Sequence, residues 1–147
     1  MVRNLFKVAG LSVVALLSSC DDDNDKQSQT EFEKNYESWK NSKVSSYIYN
    51  YEATGFTPLR GVWEIQIEQS ETIHVVYLGS DSPSINLTVG SAPTIDSLYE
   101  DIKSCIDGDE VEVTKLTFDE NSFIPTEYSC SNPSEVFGFK VSEFQPL

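Results

Sequence analysis

The chain has 147 residues, 39% of them hydrophobic and 23% charged, a size and composition that suit one small soluble domain rather than two. Twenty-four acidic side chains stand against 10 basic ones, for a formal charge of -14. That balance disfavours nucleic acid and anionic membrane surfaces as partners, because both attract clustered Lys and Arg and repel carboxylates.

Arg3 and Lys7 precede an uncharged stretch over residues 8–17, and Leu17, Ser18, Ser19 and Cys20 follow. A short basic segment, an apolar core too short to span a bilayer and small residues before a cysteine form a cleavable export signal. The four positions resemble the lipobox of bacterial lipoproteins. That resemblance implies a signal peptide over residues 1–19 and a diacylglyceryl thioether on Cys20, which becomes the mature N-terminus. Cleavage removes two bases and no acid, so the exported chain is more acidic still. The lipid bilayer is then a partner through acylated Cys20. The expected location is the cell envelope, with the host deciding between the inner membrane and the outer membrane or surface.

Residues 20–29 comprise the cysteine and a run of Asp, Asn, Lys, Gln and Ser, the composition of a disordered tether. A single globular domain is expected over residues 30–147. Its first helix is predicted to begin at Thr30, where Glu33 completes a capping box. Phe32, Tyr36, Trp39 and Lys43 then share one face that docks on a sheet.

Tyr47, Tyr49 and Tyr51 alternate with Ile48, Asn50 and Glu52, and Trp63, Ile65 and Ile67 alternate with Glu64, Gln66 and Glu68. Both read as half-buried strands. Ile73, Val75 and Tyr77 continue the alternation, so the second and third strands form a hairpin whose turn lacks glycine. The stretch 79–93 reads as a short edge strand or a partly packed loop. Asp81, Ser82, Ile85 and Leu87 are its candidate contact residues, and a plain connector is the alternative on the same composition.

Thr94 caps a second helix in which Ile95, Leu98, Tyr99, Ile102, Cys105 and Ile106 recur at helical spacing, with Gly108 closing it. Val111 and Val113 share one parity and Leu116 and Phe118 the other, which predicts a bulge near Thr114 and Lys115. Two further strands follow over residues 126–131 and 136–144, divided by Asn132, Pro133 and Ser134. The expected fold class is α+β: two helices packed on a mostly antiparallel sheet of about six strands, in the order α-β-β-β-α-β-β-β.

Pro93-Thr94-Ile95-Asp96-Ser97-Leu98-Tyr99 resembles the P-T-I-D-x-L-F helix start of a family of bacterial lipoproteins of unknown function. Phe118-Asp119 with Pro125-Thr126 resembles that family's Y-D…P-T hairpin, and Trp39 with the Tyr47-to-Tyr51 strand is similar to its W…Y-x-Y entry. Together these cover most of residues 36–144. The family often has Asn-Gly in the second hairpin turn and an acid after its P-T strand; neither stands here, where Ser129 and Cys130 occupy the latter place. The resemblance implies fold and export and carries no reaction.

Cys105 and Cys130 are an even pair in a chain bound for an oxidising compartment, and a helix-on-sheet contact would join them in a disulfide; two separate buried thiols are the alternative. His74, the sole histidine, falls on the polar side of its strand. No nucleophile elbow, zinc helix, phosphate loop or dinucleotide fingerprint occurs, so neither catalytic residues nor a metal or cofactor is expected. The acidic runs at 107–110 and 119–121 lack the EF-hand ligand pattern. The leading expectation is a membrane-anchored, non-catalytic module that binds an envelope protein or peptide. The alternatives are an envelope hydrolase using acidic residues and a structural or calcium-responsive tether.

Overall fold

The computed structural model describes residues 22–147. Its elements run α1 (Asp22–Ser42), β1 (Tyr47–Gly55), β2 (Val62–Glu68), β3 (Glu71–Tyr77), α2 (Ile95–Ile106), β4 (Glu112–Phe118), β5 (Pro125–Ser131) and β6 (Val136–Pro146). All six strands form one antiparallel sheet in the order β3-β2-β1-β6-β5-β4. The fold is α+β, as the alternation and helical periodicities predict. Two three-stranded meanders meet where β1 pairs with β6, the last strand of the chain.

Helix α1 begins at least eight residues before Thr30, so the expected tether is helical from Asp22 onward and Thr30 is an interior position. Glu33, expected as a capping partner, accepts instead from the Gln29 side-chain amide at 3.3 Å, one turn earlier. Lys43 does not extend the apolar face: at φ 55° it takes the left-handed conformation that ends the helix.

One face of the sheet is buried under both helices. Phe32 and Trp39 of α1, Ile95, Leu98, Tyr99 and Ile102 of α2, and alternate residues of the strands share a single core. Trp39 meets Tyr47 edge-on at 5.6 Å, and Tyr36 meets Tyr99 at 4.9 Å. Lys40 joins the helices through Asp96 at 3.1 Å.

Irregularities set which residues face inward. The bulge between Val113 and Lys115 lies where the parity change placed it, so Val113 and Leu116 face Cys130 and Tyr128. In β6, Glu143 and Phe144 together oppose Tyr49. Glu143 is left-handed at φ 52°, and the extra residue turns Phe144 inward onto Tyr47, 5.5 Å away. Ile73 departs from expectation: the register skips it, Thr72 stands opposite Ile67, and Ile73 is exposed. The β2–β3 turn uses Gln69 and Ser70, both left-handed at φ 51° and 66°. Their amides donate to the Ser46 hydroxyl and the Ser45 carbonyl, at 3.2 and 2.7 Å.

Segment 79–93 contains no strand. Leu87 packs against the core, and the Thr72 hydroxyl donates to the Ala92 carbonyl at 3.4 Å, tying this loop to β3.

Candidate functional site

Five aromatic rings gather where α2 crosses the ends of β1, β6 and β5. Gly55 turns the chain out of β1 at φ 82°, so close to the β6 backbone that a Cβ there would lie 2.1 Å from the Val136 carbonyl oxygen. The Phe56 amide donates to that carbonyl at 2.7 Å, and Gly138 lets β6 lie flat on β5 in the same way, with a Cβ falling 2.0 Å from the Tyr128 oxygen. These close approaches place Phe56 and Phe137 at the mouth of a cleft of about 440 Å³.

The cleft floor is a row of rings: Tyr51 to Phe139 at 6.2 Å and Phe139 to Tyr128 at 5.1 Å. The Cys105–Cys130 disulfide forms part of its wall, with Cα atoms 6.3 Å apart. Of the rings that line the cleft, Phe56 is 79% exposed and Phe137 38%, apolar surface that the fold leaves unburied.

Asp101 is the one charged residue among those that line this cleft. It stands on the exposed side of α2, yet the neighbouring protein strips part of its hydration and raises its pKa, with the adjacent Glu100 adding to the effect. No ion pair among the described residues includes it. Burial, with Asp101 second, pushes the Tyr51 hydroxyl up to about 12, and the Tyr128 hydroxyl is raised by the same two causes. Tyr128 donates to the Asp101 backbone carbonyl at 3.4 Å, which fixes α2 over β5. The arrangement suits an apolar group carrying a positive charge.

Two other hollows are internally satisfied. A cleft of about 530 Å³ lies between Trp39, Phe144 and the β4–β5 turn. Its Asp119 carboxylate already accepts from the Asn121 amide and from the Ser122 amide and hydroxyl at 3.0, 2.7 and 2.8 Å, bonds from Ser122 above all that hold its pKa down. On the open face of the sheet, Glu127 lies between Lys115 and Lys140 at 3.5 and 3.9 Å.

The residues singled out from sequence fall in several places. Asp81 accepts from the Tyr77 hydroxyl at 3.1 Å, Ser82 and Ile85 are exposed, and Leu87 is spent on packing. His74 is exposed opposite Gln66 on β3. Asp107 caps α2 and pairs with Lys103 at 2.5 Å; Gly108, expected to close the helix, donates its amide to the Cys105 carbonyl at 3.2 Å. Among the described residues no three His, Cys, Asp or Glu side chains assemble as a metal site. No described helix is long and apolar enough to cross a membrane. Cys20 lies outside the described residues.

The sequence holds no single signal for the cleft, because its walls come from positions 51–57, 101–105, 128–130 and 137–139, which only the docking of α2 on the sheet brings together. The two local signals were Phe56 directly after a glycine and the consecutive apolar pair Val136-Phe137, which alternation does not explain.

Fold and cleft define an α+β domain with one face of its sheet open and an aromatic cleft beside the second helix. The chain belongs to a family of unknown function, DUF6174, whose match spans residues 31–145. No curated protein and no solved structure matches it significantly.

Proposed function

We propose that this protein is a bacterial envelope lipoprotein, anchored by acyl chains on Cys20, whose domain is a non-catalytic binding module for a protein or peptide. The anchor rests on Leu17, Ser18, Ser19 and Cys20 behind a basic and apolar leader. The contact surface is the cleft beside α2, and the observation that carries it is the exposed pair of rings Phe56 and Phe137 that line it. Exposed aromatics around a concave site are what protein contacts enrich. Segment 79–93, with Ile85 exposed, is the second surface to be compared in the same experiment.

A photoreactive phenylalanine analogue installed in place of Phe137, Ile85 or His74 tests this in intact cells making the full chain. The reading predicts a discrete crosslinked species from Phe137 and none from His74. Equal crosslinking from all three positions, or none from any, contradicts it.

A further inference from the structure

We infer that the cleft recognises a cationic side chain, Lys or Arg, flanked by an apolar residue in a segment of a partner protein, with Asp101 receiving the charge and the rings of Phe56 and Phe137 receiving its neighbour. The inference deepens the binding reading above and rests on it. Charge complementarity selects the partner: Asp101 is the cleft's sole charged lining residue, it has no basic partner among the described residues, and the chain as a whole carries -14. An ammonium or guanidinium group gains from a carboxylate and from aromatic faces together, because a ring's π-face is its negative side. Tyr51 adds a hydroxyl that makes no hydrogen bond among the described residues. An anionic segment would meet Asp101, with Glu100 adjacent, and no basic residue lines the cleft to offset them.

The test titrates the full-length protein in detergent with a blocked leucyl-arginyl-phenylalanine peptide and with the same peptide carrying citrulline, which keeps the shape and removes the charge. The inference predicts that the arginine peptide binds roughly tenfold more tightly, and that Asp101→Asn removes this preference by weakening the arginine peptide far more than the citrulline one. Equal affinities that both fall in Phe137→Ser overturn the cationic inference while sparing the cleft as a contact surface. No saturable binding of either peptide at millimolar concentration overturns both. Asp101 is exposed on α2, so its substitution leaves the fold intact, and a cooperative thermal unfolding of the variant at or above the temperature of the unsubstituted protein checks this.

Discussion

The amide of Ile95 donates to the hydroxyl of Tyr47 at 3.0 Å, across 48 residues of sequence. The first turn of a helix has no internal acceptor for its N–H groups, and here a strand residue supplies one. Tyr49, two residues on, donates to the Pro93 carbonyl, and Thr94 and Ser97 complete a capping box. Burial pushes the Tyr47 hydroxyl up to about 12, so it stays protonated and the arrangement persists at any physiological pH. Position of α2, and therefore of the cleft beside it, depends on these contacts.

Tyr47→Phe strands a buried amide. It should lower unfolding free energy by about 1–3 kcal/mol, read from urea denaturation. Thr94→Ala should lower it by about 1 kcal/mol, and the two changes should not add, because they act on one helix end.

Ser70→Gly should stabilise the protein. Ser70 has a left-handed backbone that disfavours a side chain by roughly 1–2 kcal/mol, against about 0.5–1 kcal/mol of extra chain entropy for glycine. A gain of about 0.5–1 kcal/mol in the same denaturation experiment is expected, since the amide bond to Ser45 is kept.

Replacing both Cys105 and Cys130 by alanine should lower stability by about 2–4 kcal/mol, since the bridge closes a loop across 25 positions. Cys130 is fully buried, so reductant should act on the unfolded chain and spare the folded one, which free-thiol labelling under native conditions measures.

Asp119 and Asp101 titrate with opposite consequences. Hydrogen bonds hold the Asp119 pKa below its unfolded value, so its contribution is present above that value and is lost as pH falls through the folded pKa. The stability deficit of Asp119→Asn should therefore shrink in strong acid. Asp101 is raised by desolvation, so its ionised form burdens the fold once pH rises above its folded pKa. Asp101→Asn should stabilise the protein at neutral pH, with the gain vanishing below the unfolded pKa. A stabilising change that removes the cationic preference is the pattern expected of a residue kept for binding.

Much of the fold was legible because each strand buries one face. The parity change from Val113 to Leu116 located the bulge at Thr114, and the change from Val141 to Phe144 carries the same signal for Glu143. Ile73 gave no such signal: its alternation with Val75 and Tyr77 looks regular, and the bulge shows only in the pairing with β2. The seven tyrosines divide by role. Hydroxyls of Tyr47, Tyr49, Tyr99 and Tyr128 bond to backbone groups inside the domain, while Tyr51 lines the cleft. The site was illegible because its residues share no element and no period.

Display of the domain outside the cytoplasm is the claim on which an envelope partner depends, and the intact mass of the protein extracted from membranes tests it most directly. The account predicts a chain that starts at Cys20 and carries acyl groups there. An unmodified chain beginning at Met1, recovered from the cytosolic fraction, would contradict it.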